Sequence, residues 1–309
     1  QLMPHAVQYN EFGSVDVLRF AEVAALAPST GQVAVAVKAA GLNPFDFKLR
    51  SGVIPMPVEF PRVVGSDFAG VVTAVAEGAT YTDGAAVAVG DEVLGWIDSG
   101  SWREEAVVGA SSMARKPAQL SWELAGGLTT AALTAQACID LMKPGKGDTV
   151  VVGAAAGAVG IVFCQLAAAA GARVIGTASQ GNHEFLRSIG VEPVTYGEGL
   201  AQRLRSLTPN GITFVQDNWG REFIDIALEI GVPAEKICTI VDHKATAELG
   251  LSNPGRYERS SVTVEAFASK VAAGEIVLPI ERTFALNQFR EAFELLEARH
   301  VRGKIILLP

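Results

Sequence analysis

The segment 149–160, TVVVGAAAGAVG, holds the residues best suited to chemistry in this chain of 309. A β-branched run ends in glycine, a turn of small residues follows, and the helix former IVFCQLAAAA comes next. Such a turn suits the pyrophosphate of a dinucleotide. Gly157 lets the backbone approach without a Cβ, and Gly160 lets the helix pack closely on the strand. The amides of Ala156, Gly157, Ala158 and Val159 open a helix whose unpaired N–H groups attract an anion. The second strand, RVIGTA, ends in Thr177-Ala178-Ser179-Gln180-Gly181-Asn182, with no carboxylate before Glu184. NAD needs an acid there for its ribose 2′-hydroxyl, and an acid would repel a 2′-phosphate. Ser179 and Asn182 can donate hydrogen bonds to that phosphate, so NADPH is the favoured cofactor. No Arg or Lys lies in the loop, which implies a modest phosphate affinity. The competing reading is a glycine cluster that packs a doubly wound sheet and binds nothing.

These residues need a frame. From residue 149 the pattern alternates strand and helix: TVVVG then IVFCQLAAAA, RVIGTA then 182–190, PVTY (193–196) then 200–207, ITFVQD (212–217) then 221–230, and KICTIV (236–241). Repeated at this spacing, that pattern predicts right-handed βαβ units, a parallel sheet and helices on both faces. Before residue 120 the pattern differs. Short apolar or alternating runs, separated by Gly, Asp or Pro, predict a small antiparallel barrel or sandwich with no helix of normal length. A helix is expected over 121–143, capped by Ser121 and stopped at Pro144-Gly145. No element is expected over 242–261. A helix over 264–274 follows, then strand-like IVLPIERTF, then a helical segment from Gln288 to His300 and a final strand KIILL. That last strand returns to the first region.

Composition narrows the classes. Half of the residues (49%) are hydrophobic and 19% are charged, which excludes disorder. A formal charge of −8 with no Lys/Arg-rich run excludes an electrostatic footprint for nucleic acid or anionic lipid. Mean hydropathy is +0.29, and residues 149–172 carry no formal charge. A strand and a helix joined by a Gly-rich turn cannot cross a bilayer as one helix, so no membrane association is expected. The first 13 residues have neither a charged start nor an apolar core, so no signal peptide is expected. Gln1-Leu2 ahead of Met3 reads as a remnant of cloning. Cys138, Cys164 and Cys238 are too scattered for a disulfide framework or a zinc knuckle and suit a reducing, cytoplasmic compartment as inert core residues.

The segments AAGLNPFDFKLRSG (39–52), PRVVGSDFAGVV (61–72), VGDEVLGW (89–96), AGGLTTAALTA (125–135), PGKGDTVVVGAAAGAVG (144–160), DNWG (217–220) and HVRGKIILL (300–308) together resemble the medium-chain dehydrogenase/reductase superfamily. The resemblance is to its zinc-free quinone oxidoreductase and enone reductase branch. It implies an α/β fold in which a Rossmann doubly wound parallel sheet (residues 121–262) is inserted into a GroES-like β-barrel domain (1–120 plus 263–309). It also implies a cofactor cleft between the two and a homodimer. Zinc-using relatives place Cys where Asn43-Pro44 stands and His in a segment that here reads Gly65-Ser66-Asp67. The four histidines show no HxH or HxxxH spacing, so no metal is expected.

By the same resemblance, Lys48 touches the nicotinamide ribose or the substrate oxygen, and Asn43 and Asp46 shape the pocket floor. Thr130 and Thr134 match the nicotinamide-facing helix, and Tyr196 matches a tyrosine beside the 2′-phosphate. Asn218, Ile240 and Val241 sit at carboxyl ends of strands, where ligands bind in open α/β sheets. Plainer alternatives are Asn43 as a turn residue, Asp46 as a turn residue or the partner of a Lys or Arg, Lys48 as a solvated side chain, the threonines as local caps and Tyr196 as a half-buried strand aromatic. His243 reads as a surface-loop histidine. The segment 241–261 lacks the family's usual Gly-rich loop, and the glycine turn carries Ala158 where Gly is common. The implied activity is NADPH-dependent, metal-free hydride transfer to quinones or α,β-unsaturated carbonyls. Conjugation spreads the developing charge there, so a hydrogen-bond donor suffices. A non-catalytic NADPH-binding sensor on the same fold is the alternative. RNA binding is disfavoured by the charge.

Overall fold

The computed structural model describes residues 3–309; Gln1 and Leu2 lie outside the described residues. In chain order the strands and α-helices begin with β1 (His5–Tyr9), β2 (Arg19–Glu22), β3 (Gln32–Gly41), α1 (Pro44–Arg50), β4 (Arg62–Val63), β5 (Asp67–Val75), β6 (Glu92–Trp96), β7 (Glu105–Gly109), β8 (Met113–Arg115) and α2 (Trp122–Met142). Then come β9 (Thr149–Val152), α3 (Ala158–Ala169), β10 (Arg173–Thr177), α4 (His183–Ser188), β11 (Glu192–Val194), α5 (Leu200–Leu207), β12 (Phe214–Asp217), α6 (Arg221–Glu229), β13 (Ile237–Thr239) and α7 (His243–Leu249). The chain closes with α8 (Ser261–Ala272), β14 (Ile280–Ala285), α9 (Phe289–Glu297) and β15 (Lys304–Leu308). Two compact units result: one formed by the chain up to Leu133 together with Arg259–Pro309, the other by Thr134–Glu258.

The first unit is the GroES-like part. Its main sheet runs β14-β15-β3-β5-β6-β8, with β7 also pairing β3; β2-β1-β4 form a smaller sheet. Alternation in β3 turns Val33, Val35 and Val37 into a core shared with Tyr9, Phe68, Trp102 and Phe293. The last strand does return: β15 lies antiparallel to β3, with Ile306 opposite Gly41. Two glycines bring helix α2 against that strand. A Cβ on Gly126 would meet Ala39 at 2.6 Å, and one on Gly41 would meet the Gly126 carbonyl at 2.8 Å. This close approach carries residue 130 to the start of β5.

The second unit is the Rossmann part, with all-parallel strand order β11-β10-β9-β12-β13. Order reverses at β9, so right-handed crossovers place helices on both faces and open a crevice at the carboxyl ends. Val150, Val151 and Val152 of the central strand are fully buried, as a two-sided parallel strand requires. Residues 149–172 form a strand, a turn and a helix, and among the described residues no helix is long and apolar enough to cross a membrane.

The segment after β13 departs from the sequence reading. Residues His243–Leu249 are helical, because Asp242 caps the segment with a side-chain oxygen that accepts from the Ala245 amide at 2.8 Å. His243 is therefore a first-turn helix residue, not a loop histidine. Tyr196 lies beyond β11, which ends at Val194, so it is not a strand aromatic. Helix α8 starts three residues earlier than its apolar pattern, where the Ser260 hydroxyl accepts from Thr263.

Candidate active site

In the second unit the turn Gly153–Gly157 is fixed by the strand ends beside it. The Ala154 amide donates to the Thr177 hydroxyl at 3.0 Å, and the Ala155 amide donates to the Thr177 carbonyl at 3.0 Å. On the other side, the Asn218 amide donates to the Gly153 carbonyl at 3.0 Å and is itself oriented by Gln216. Asn218 thus holds the turn. Ala154 adopts φ of +49°, an uncommon conformation for a residue with a Cβ. Gly160 is demanded by packing, since a Cβ there would sit 2.6 Å from the Ala154 carbonyl oxygen. Gly157 is not: its Cβ would meet no protein atom closer than 3.5 Å. The bare backbone at Gly157 leaves room that the protein does not fill, and the first amides of α3 have no intrahelical partner. These residues fit a dinucleotide's pyrophosphate.

After β10, Asn182 donates from its side chain to the Ser179 hydroxyl at 3.3 Å. The Ser179 proton is left to donate elsewhere. Tyr196 is 42% exposed and stacks on Trp219 with ring centroids 6.0 Å apart. Arg203 donates to the carbonyls of Thr195, Tyr196, Gly197 and Glu198, which pins the loop under Tyr196. Ile240 and Val241 lie just past β13; the Ile240 amide donates to the Asp217 carbonyl and that of Val241 to the Thr239 hydroxyl. Thr134 pairs with Tyr257, hydroxyl to hydroxyl, at 2.8 Å.

The first unit gathers a buried charged cluster. Asn43 caps α1, and its backbone amide donates to the Asp46 carboxylate at 2.8 Å. Its side-chain amide donates to Asp67 at 3.1 Å, while its side-chain oxygen accepts from Lys304 Nζ at 2.7 Å. Lys304 also donates to the Leu42 carbonyl at 2.7 Å and lies 3.8 Å from Asp67 Oδ2. Asp67 further accepts from both the backbone amide and the hydroxyl of Thr130.

Burial pushes the Asp46 carboxyl up to about 7, with the Asp67 charge acting in the same sense and the Asn43 amide and Lys304 opposing. Burial pulls the Lys304 ammonium below the ordinary lysine range, against the pull of Asp67 and then Asp46. Asn43, Asp46 and Thr130 are therefore brought together, and Lys48 lies half-exposed on the same short helix as Asp46. Asp67 and Lys304 were not among the expected site residues. The one available signal was a lysine opening an otherwise apolar strand, KIILL, whose first four residues are buried.

The model of the Alcohol dehydrogenase GroES-like domain matches residues 29–139, and that of the Zinc-binding dehydrogenase matches residues 188–307. Quinone oxidoreductase of Pseudomonas aeruginosa is 28% identical over 99% of this chain and 100% of its own length. The crystal structure of quinone oxidoreductase from Pseudomonas syringae pv. Tomato DC3000 is 28% identical, covering 99% of this chain and 100% of that one with a TM-score of 0.85. The chain belongs to the medium-chain dehydrogenase/reductase superfamily, in its quinone oxidoreductase branch. Polyketide synthase GfsB of Streptomyces halstedii is 31% identical over 92% of this chain, which spans only 5% of that synthase. In the present dehydrogenase/reductase, the cation beside Asn43 is the Lys304 ammonium. Among the described residues no group of three or more His, Cys, Asp or Glu is arranged to hold a metal ion.

Proposed function

We propose that this chain is an NADPH-dependent oxidoreductase that reduces quinones or α,β-unsaturated carbonyls. The observation that carries the reading is the turn Gly153–Gly157, pinned on both sides, bare at Gly157, and followed by a loop with hydroxyl and amide donors and no carboxylate before Glu184. When bound, the cofactor supplies a hydride from the nicotinamide C4 to the electrophilic carbon of the acceptor. The Ala156 amide and the first amides of α3 bind its pyrophosphate against the bare backbone of Gly157, Ser179 and Asn182 receive the 2′-phosphate, and Tyr196 lies beside it. Ile240 and Val241 flank it at the carboxyl end of the sheet. Lys48 donates a hydrogen bond to the acceptor's oxygen as negative charge develops there, and water then protonates the product.

An apolar acceptor suits the surroundings of Lys48. Its carbonyl accepts from the amides of Val53 and Ile54, which open a segment with Val53, Met56 and Phe60 exposed. Phe60 packs edge-on against the exposed Phe12 at 5.3 Å.

The test is cofactor oxidation at 340 nm, with NADPH and NADH, over 1,4-quinones, 2-alkenals and cyclic enones. Turnover with NADPH on one of these classes supports the reading and chooses the acceptor. Binding of NADPH without turnover across the panel moves the chain to the sensor alternative.

A further inference from the structure

We propose that Phe12, Gly52, Val53, Met56 and Phe60 form a seat for an uncharged hydrocarbon tail on the acceptor, so that this chain selects long-chain unsaturated carbonyls or alkyl quinones over short ones. The inference rests on the proposed role of Lys48 at the acceptor's oxygen, and every residue it uses lies in the first unit. The four side chains are exposed, Val53 to 73%. Large apolar groups left open side by side mark a binding surface, as scattered ones do not. These are also held in place. The Gly13 amide donates to the Arg50 carbonyl at 3.0 Å, and Arg50 Nε donates back to the Gly13 carbonyl at 3.3 Å, which fastens the chain beside Phe12 to the end of α1. The Phe12 ring lies over Gly52, where a Cβ would meet its Cγ at 3.2 Å. Phe60 stands edge-on to Phe12 at 75° and is backed by the buried Tyr9 at 5.7 Å. A surface fixed in advance costs a ligand little ordering.

Three observations choose the occupant. The face begins beside Lys48, whose carbonyl accepts from the Val53 and Ile54 amides at 3.2 and 3.4 Å. Its charge is of one sign: residues 51–60 contain no Lys or Arg, and an exposed glutamate precedes each ring, Glu11 and Glu59. Those carboxylates disfavour an acidic tail and an anionic lipid surface. Its size is small. Four apolar side chains fall far short of the roughly 20–30 residues a side that a stable protein interface needs. They match a run of methylenes, each of which gains by leaving water.

The experiment measures kcat/KM of the full chain with NADPH over an unbranched series, either 2-butenal to 2-decenal or 1,4-benzoquinones with lengthening alkyl substituents, whichever class is turned over. A tail covered on one side keeps about half the transfer free energy of a buried methylene, so wild type should gain about twofold per methylene, carried by KM. The ratio of longest to shortest acceptor is then compared within each protein. Phe60→Ala and Phe12→Ala should each lower that ratio severalfold, and Phe60→Asp should lower it further. Val89→Ala, which trims an exposed apolar side chain elsewhere in the first unit, should keep it. A carboxylate at the end of the tail should abolish the gain. Circular dichroism checks that each variant is folded, and Phe12→Ala serves if Phe60→Ala does not fold. A wild-type protein whose ratio is near one, or both alanine variants with the wild-type ratio, overturns the inference and leaves the proposed function standing. A variant that changes the sedimentation mass but not the ratio assigns the face to a second copy and also overturns it. Bound NADPH without turnover on any acceptor overturns both.

Discussion

The two units use polar side chains in opposite ways. In the Rossmann unit they serve the backbone: Thr177 receives the Ala154 amide, Asn218 binds the Gly153 carbonyl, and Asp217 accepts the amides of Trp219 and Gly220 at 2.9 Å. In the GroES-like unit they serve one another, with two carboxylates and an ammonium packed around Asn43 and Thr130. The first arrangement shapes a surface of amides and leaves charge to the ligand. The second stores charge inside the protein, where each member depends on the others. Damage should therefore stay local in one unit and spread in the other.

The sharpest way to break that contrast is Lys304→Met. It leaves Asp67 and Asp46 buried without their cation, and removing one partner of a buried pair costs about 3–5 kcal/mol. Chemical denaturation should show a loss of that size; a loss below about 1 kcal/mol would mean that water reaches the cluster. In the Rossmann unit the largest effect belongs to Gly160→Ala, whose new methyl meets backbone at 2.6 Å and costs about 1–3 kcal/mol by overpacking. Gly157→Ala has room, so its melting temperature should stay at the wild-type value while dinucleotide affinity falls.

The pH dependence sharpens the comparison further. Asp46 titrates at about 7 in the folded chain and near 3.8 when unfolded. Between those values the folded chain holds a proton that the unfolded chain releases, so this group makes stability fall as pH rises from about 4 to about 7 and level off above. Asp46→Asn, whose amide oxygen can still accept from Asn43, should flatten the thermal-melt profile over that window. A profile of unchanged slope would place the titration on another group. The smallest effect expected is at the cysteines. All three are free and fully buried, and burial pushes the Cys164 thiol up, so the folded chain should resist a thiol reagent until denatured.

What the sequence disclosed follows the same division. The Rossmann order was legible because each strand and helix is a contiguous run, and the glycine turn because its chemistry lies within a dozen residues. Backbone chemistry of this kind leaves a local spacing. The charged cluster draws on positions 43, 46, 67, 130 and 304, each in a different element apart from the first two, which share one helix start. No spacing joins them, and only the packing of β15 and α2 on β3 does so. Helix α7 was missed for a different reason. Its seven residues, HKATAEL, have little apolar periodicity, and a cap at Asp242 rather than a buried stripe starts it. Asn218 was placed correctly at the end of its strand, yet the assignment of its amide to Gly153 needed coordinates.

The strand that carries Lys304 also sets an order of events on the ribosome. Asn43 and Lys304 are separated by 261 positions. At typical synthesis rates that gap lasts roughly 10–50 s, throughout which Asp46 and Asp67 exist without their ammonium. Every residue of the Rossmann unit emerges within that interval and has its partners at hand. The inserted half of the protein can thus reach its final form while the half that encloses it in sequence still waits for its last strand.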